Sequence, residues 1–496
     1  MSARPPIIAV ALIVLAGCVP KPPDYNETLL TVEAPGGWQS TGARMGGPDS
    51  DWIETFKDRR LERLVKEVEE NNYDIQIAAA RMEQAKAEAV IAGARIYPVV
   101  RAGFDGQRQQ QSFIGLPFLN PASGSVDTAG DGGLAKTLYN NFGVSLNIDW
   151  EIDLWGRIRA SQSAAIAEWQ AADAEQGGLK TSLSAQTAKV WFAIQEADQQ
   201  LELALQTLDS FRESERTISD GFELANLPAS QLKLAMSETA SAEALVEERR
   251  GQKKLAIRQL QILLGKYPSG NIESPGKFAS LPETPPAGLP SDLIHRRADM
   301  IAAERRAAAA DKRIREAELA LLPQISLTGS GGTASETLRN SINPDNVIWS
   351  IAGSIGQTLL AGGEIKANVS KREAIAKESI ANYQRTALTA FTEVENALTA
   401  EDLLRRREGA LQRAETYLAD AYQRSMDEYK DGVGDILTIL TTQKNLLQAK
   451  SQVISIQRLR LENRIDLHLA LGGGFDAREV AAAEKEKQRS RRKKKE

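Results

Sequence analysis

The chain is written twice. Ile77-Ala78-Ala79-Ala80-Arg81 lies against Ala302-Ala303-Glu304-Arg305-Arg306, and the register holds through Tyr97-Pro98 against Leu322-Pro323. Further on, Asn141-Phe142 to Gly156-Arg157-Ile158 runs parallel to Ile348-Trp349 to Gly363-Glu364-Ile365, and Phe222-Glu223-Leu224-Ala225 aligns with Tyr429-Lys430-Asp431-Gly432. Each half closes on a similar apolar stretch, Leu260 to Gly265 and Leu467 to Gly472. A Pro-rich segment, Tyr267 to Pro290, separates them and reads as a linker. Such a chain must fold as two copies of one structural unit. We place the first repeat at 58–266, the linker at 267–290 and the second repeat at 291–474, followed by a charged tail, 475–496, read as disordered.

Composition narrows what the units can be. The chain has 496 residues, with 61 basic and 66 acidic side chains and a net charge of −5, so no global field marks a nucleic-acid binder. The amino acids are 42% hydrophobic and only 5% aromatic, and no run is long enough for a bundle of membrane-spanning helices. Two histidines and one cysteine leave no zinc module and no disulfide framework. No nucleophile–base constellation surrounds His295 or His468, both read as structural, and Gly265-Lys266 lacks the rest of a phosphate loop. We therefore expect no enzyme, no metal and no cofactor.

The lone cysteine has a place. Ile7 to Gly17 is an apolar run of the length of a signal-peptide core, and it ends in Leu15-Ala16-Gly17-Cys18. Residues 1–17 read as a signal peptide and Cys18 as the acceptor of a covalent lipid, opening a lipidated segment over 18–57. An ordinary signal peptide with an incidental cysteine is the alternative. Val19 resembles the signal for onward sorting to the outer membrane. One acyl anchor binds weakly, so a second membrane attachment is expected.

Within each copy the apolar period changes in the same order. Leu61 to Ile96 and Asp292 to Leu322 read as helices stopped by a proline. Strands follow at about 99–107 and 141–152, and at about 324–330 and 348–358. The clearest puts Phe142, Val144, Leu146, Ile148, Trp150 and Ile152 on one face. Asn141, Gly143, Ser145, Asn147, Asp149 and Glu151 fall on the other. The loop from Phe113 to Tyr139 connects the first pair, and Gly331 to Asn346 the second. Periodicity alone fits a soluble sandwich as well as tilted membrane strands; the export signal and aromatic residues at strand ends favour the membrane.

The helical period then resumes from Trp155 to Phe222, about 100 Å of helix, and again from Gly363 to Lys430. A seven-residue beat runs through Val190, Ala197, Ala204, Phe211 and Ile218, and through Ile194, Leu201, Leu208 and Phe222. The last helix repeats it at Ile439/Leu440, Leu446/Leu447 and Val453/Ile454. This is a narrow coiled seam rather than a broad core. Four strands cannot close a barrel, and an open sheet edge is forbidden in lipid, so several copies should complete one barrel.

Spaced motifs give these patterns a relative. Trp150-Glu151-Ile152-Asp153-Leu154-Trp155-Gly156-Arg157 closes the first hairpin. Leu289-Pro290-Ser291-Asp292-Leu293-Ile294 is followed by Arg296-Arg297-Ala298-Asp299-Met300, then by Leu360-Ala361-Gly362-Gly363 and Leu469-Ala470-Leu471-Gly472-Gly473-Gly474. Together these resemble the TolC family of outer membrane channels, in its lipoprotein branch of OprM- and NodT-like proteins. Ala298 stands where the family usually has proline. The resemblance implies a mainly α protein with a transmembrane β-barrel. It is a homotrimer whose four strands per chain close a 12-stranded β-barrel above a long 12-helix α-barrel. It also implies a passive efflux duct for small molecules or drugs. Its partners would be a periplasmic adaptor (membrane fusion) protein and an inner-membrane transporter of the RND type. A channel for type I protein secretion and a non-conducting coiled-coil envelope scaffold are the alternatives.

Helix reversals near 225–230 and 432–435, punctuated by Pro228, Gly432 and Gly434, should form the periplasmic tip. The family often carries an aspartate ring nine residues after this glycine; here that position is Thr441, with Thr438 before it. Leu437 matches an apolar constriction residue of the OprM branch, and Tyr429 a tyrosine of the closed-state contacts. Asp431 and Asp435 are candidates to supply negative charge instead. Leu437 packing an interhelical seam, rather than a gate, is the competing reading.

Overall fold

The computed structural model describes residues 34–40, 46–47, 51–113, 135–224, 227–274 and 276–474. The signal peptide, Cys18, most of the strand connector and the charged tail lie outside the described residues.

Helix α1 (Arg59–Asn71) is followed by α2 (Tyr73–Ala94), where the periodicity had suggested one helix from Leu61 to Ile96. Asn72 makes the break. Its N–H still closes the last turn of α1 on Val68 O, while its side-chain Oδ1 accepts from the N–H groups of Asp74 at 2.8 Å and Ile75 at 3.3 Å. Its Nδ2 donates to Leu263 O at 2.8 Å, so one buried amide ends a helix, starts the next and fastens both to a third. In the second copy the helix read from Asp292 to Leu322 is likewise two pieces, α5 (Pro290–Leu293) and α6 (Ala298–Leu319). The intervening turn delivers Arg297, whose guanidinium donates to Ala470 O at 3.1 Å and to Asp299 and Glu393 at 2.8 and 2.6 Å. The Arg296-Arg297 motif is thus partly a cap for a distant helix end.

Strands β1 (Val99–Phe113), β2 (Ala135–Ile152), β3 (Gln324–Thr333) and β4 (Val347–Gly356) form a sheet, antiparallel throughout and ordered β1-β2-β3-β4 among the described residues. The first hairpin is longer than its apolar alternation showed. β1 continues through the polar run Gln107–Gln111, which pairs with residues 137–141 and so absorbs part of the expected connector. In the second copy short 3₁₀ turns at Leu338–Asn340 and Pro344–Asn346 join the strands.

The long helices repeat the duplication in their lengths. α3 (Arg157–Glu223) and α7 (Glu364–Lys430) have 67 residues each, and α4 (Ala229–Leu263) and α8 (Ile436–Ala470) have 35. The described residues divide into two compact units, one made by Ala85–Glu168 with Ala307–Glu378, the other by the rest. The first contains the sheet. In the second, a 3₁₀ turn at Trp52–Phe56 and α1 pack on Trp191, Phe192, Ile194, Leu260, Leu461 and Ile465. A separate cluster joins Leu293 and Met300 to Phe391, Val394, Leu398 and Leu467. Beyond these clusters the helices meet along the expected narrow seam, where Ala204, Leu208 and Phe211 pack on Ala242, Val246 and Leu440. Alanine at these contacts lets helix axes approach closely.

Candidate functional site

The α7–α8 reversal is built around two glycines. Gly432 takes a positive φ of 77°, and the N–H groups of Val433 and Gly434 return to Glu428 O at 3.0 and 2.9 Å. That is the left-handed termination glycine favours. A Cβ on Gly434 would lie 2.7 Å from Tyr429 N, so no larger residue fits without moving backbone. In the other copy Pro228 stands as N-cap of α4; residues 225–226 of that turn lie outside the described residues.

Helical spacing sorts the candidate gate residues into two sets. Ile436, Ile439 and Leu440 face the protein and are buried. Leu437 is 54% exposed, and Thr438 and Thr441 share its open side of α8. In the single chain Leu437 is therefore outside the seam. Asp431 and Asp435 are exposed at the turn, Asp435 as N-cap of α8 with no side-chain capping bond. Tyr429 is half-buried, packed with Tyr422 and Met426 against Ile218, Ala235, Ile436 and Ile439. The structure thus brings Tyr429 to the buried side of the tip and leaves the other candidates on its surface.

Sequence reasoning missed a polar cluster beside these residues. Gln443 Nε2 donates to Ser210 Oγ at 2.7 Å, and Ser210 Oγ lies 3.4 Å from the Tyr422 hydroxyl. Ser425 Oγ donates to Tyr422 O and sits 3.1 Å from Thr442 Oγ1. Together they tie α3, α7 and α8 with hydroxyl and amide groups rather than carboxylates. The available signal was polar residues at buried seam positions, Ser425 and Gln443 above all.

Further along the helices, charge replaces hydroxyls. Arg464, only 2% exposed, donates to Glu401 at 2.7 Å and to the Pro282 carbonyl, fastening the linker to α7. Arg460 pairs with Glu408 and Glu401, Arg458 with Glu196 and Glu462, and Lys189 with Asp466. Burial pushes the Arg464 guanidinium below its ordinary value although Glu401 opposes this, and burial raises the Glu462 carboxyl against the pull of Arg458. His468, buried and stacked on Trp52 at 5.6 Å, has no hydrogen-bond partner at either ring nitrogen. Burial, with the Arg464 charge, lowers its pKa to about 4.

The sheet carries the other functional surface, and its register makes it two-faced. Val100, Ala102 and Phe104 share one face with Ile148, Leu146 and Val144, with Ile325 and Leu327, and with Trp349, Ile351 and Ile355. This face is exposed in the single chain, with Trp349 at 74%. The opposite face is hydrophilic: Ser145 donates to Asp105 at 3.1 Å, and the Ser326/Ser354 and Ser330/Ser350 hydroxyls meet at 2.6 and 2.8 Å. The acidic positions read along β2 are already engaged. Asp149 pairs with Arg101, Glu151 receives Arg157 twice, and Asp153 caps the start of α3. Trp150 and Trp155 donate their indole N–H groups to Ile96 O and Pro323 O at 2.9 and 2.8 Å. Among the described residues no cluster could hold a metal ion, and no helix is long and apolar enough to cross a membrane.

An antiparallel sheet with one exposed apolar and one hydrophilic face, in a chain of paired long helices, defines a subunit of an outer-membrane channel. The chain belongs to the outer membrane efflux protein family, whose model matches residues 64–266 and 289–473. It is 30% identical over 483 residues to the pyoverdine export outer membrane protein OpmQ of Pseudomonas putida, covering 95% of this chain and 97% of that protein. It is also 30% identical over 482 residues to the outer membrane protein OprJ of Pseudomonas aeruginosa, covering 95% and 97%. The open state of the Neisseria gonorrhoeae MtrE outer membrane channel superposes with a TM-score of 0.77 at 26% identity, covering 92% of this chain and 98% of that one. The chain is an outer membrane efflux duct with the TolC-type fold, and members of its family are channels.

Proposed function

We propose that three copies of this chain close one passive duct. Each supplies four strands to a 12-stranded barrel and four helical columns to a 12-helix tube, with residues 267–290 in the belt and the repeats 58–266 and 291–474 on either side of it in sequence. The observation that carries this reading is the sheet: β1 and β4 are edge strands of a sheet whose apolar face belongs in lipid, where unpaired backbone groups are not tolerated. Copies joined edge to edge, β4 to the next β1, satisfy them. The hydrophilic face then lines the water path.

Small molecules are the proposed cargo, consistent with a relative named for pyoverdine export. A periplasmic adaptor and an RND-type inner-membrane transporter supply selection and energy. Cys18 carries the lipid that adds a second attachment to the barrel. At the tip Leu437, Thr438 and Thr441 form the narrow rings, with Asp431 and Asp435 beside them and Tyr429 holding the closed arrangement. The hydroxyl and amide cluster around Ser210 and Gln443 supports a gate latched without carboxylates. The oligomeric core of this proposal is tested by electrophoresis of the extracted protein. An SDS-resistant species of three chains, lost on boiling, is expected; a species that runs as a single chain before boiling refutes the shared barrel.

A further inference from the structure

The two long helices of the duplicated unit are equal in length and unequal in packing. α3 buries Ala204, Leu208, Phe211, Ser214 and Ile218 along its seam. On α7, among the described residues, nothing between Leu398 and Ser425 is buried in the single chain. On the amino-terminal side of that stretch α7 is clamped. Asn463 donates to Ala397 O at 3.1 Å, buried Arg464 pairs with Glu401, and Arg460 pairs with Glu408. On its carboxyl-terminal side the attachment resumes only with Tyr422, Ser425, Met426 and Tyr429, through contacts such as Ser425 to Thr442 at 3.1 Å.

Gly409 stands one residue beyond the last clamp. It lies inside continuous helix without a positive φ, and a Cβ there would meet only Arg413 Nη1 at 3.8 Å. Neither a turn nor a close approach calls for glycine. What glycine does supply in a helix interior is freedom: relative to alanine it shifts the local helix equilibrium by about two- to fivefold toward non-helical conformations.

We propose that Gly409 is the hinge of the gate. The segment from Gly409 to the tip swings as an arm, breaking the Tyr422/Ser210 and Ser425/Thr442 contacts, while the Glu401–Arg460–Arg464 clamp stays closed. α3, buried along its whole seam, is the fixed post against which the arm moves. The inference rests on the tip-gate reading above and adds to it which helix bends and where.

Two measurements on the full-length oligomer in detergent and in planar bilayers test it. Amide hydrogen exchange should be faster over residues 409–413 than over the corresponding 202–206 of α3, and Gly409→Ala should slow it by about two- to fivefold. The same substitution should lower the open fraction of the channel by a similar factor for each copy that must bend. Gly251→Ala is the matched control. It replaces a glycine in α4 whose Cβ position meets nothing within 4 Å, and it should leave opening unchanged. Slow exchange at 409–413 in a channel that does open and close refutes the hinge alone, as does an equal effect of Gly251→Ala. Fast exchange there, in a wild-type channel with no open–closed transitions, refutes the gate and with it the hinge's role.

Discussion

A single lysine placed on alternate faces of β4 separates a membrane sheet from a soluble one. Ile351 points to the apolar face, and the register sets it in a row with Gly329, Ile148 and Val100 near mid-strand. It is 72% exposed in the single chain, so no internal packing is lost on replacing it. A lysine near the bilayer midplane costs about 2–4 kcal/mol, falling toward zero at the interfaces. Ser350, its neighbour, points to the hydrophilic face, where its hydroxyl meets Ser330 at 2.8 Å. Losing that contact costs about 0.5–1.5 kcal/mol, and the new ammonium stays in water. Ile351→Lys should therefore destabilise the inserted barrel by about 2 kcal/mol more than Ser350→Lys, roughly thirtyfold per copy. Denaturant titration of the protein in lipid vesicles, read by tryptophan emission, measures the difference. Equal costs, or a larger cost at Ser350, would refute the assignment of the apolar face to lipid.

Three further outcomes follow from the helices. Replacing Leu437 and Thr441 together by serine should raise single-channel conductance; unchanged conductance removes both from the narrowest ring. Gly434→Ala forces a Cβ to within 2.7 Å of Tyr429 N and should cost about 1–3 kcal/mol, seen as easier proteolysis at the α7–α8 turn. His468 is neutral in the fold with a pKa of about 4, below the unfolded value of about 6.5, so folding stability is lost as pH falls below that unfolded value. The loss levels off once pH passes below about 4, at about 3 kcal/mol. His468→Phe, which keeps a ring against Trp52, should flatten the fall in melting temperature between pH 7 and pH 4; an unchanged slope assigns the acid sensitivity elsewhere.

What the sequence disclosed was whatever repeats or alternates. The duplication and the seven-residue beat survive in helices of matching length and in buried Ala204, Leu208 and Phe211. The beat failed where it reached the helix end: Phe222, placed in the seam by spacing, is exposed. Breaks made by one side chain were hidden, because Asn72 interrupts a helix whose apolar period runs on through it. The far end of β1 was hidden for the opposite reason, since Gln107 to Gln111 pair through backbone and show no alternation. Beta pairing spends hydrogen bonds that polar side chains neither help nor hinder. The latch and the clamp were invisible because they unite residues far apart in the chain, such as Ser210 with Gln443 and Pro282 with Arg464. Acidic residues along β2 suggested a charged water path, yet their carboxylates are matched by Arg101 and Arg157 or consumed as a helix cap, which only the pairing register reveals.

The central claim is that this chain builds a water-filled duct that opens and closes. Planar-bilayer recording of the purified oligomer tests it most directly. The account predicts discrete, ion-conducting steps with long closed periods in the wild type, and longer open times when Tyr422→Phe and Ser210→Ala remove the hydroxyls of the latch. An inserted, SDS-resistant oligomer that passes no current in either form would contradict it.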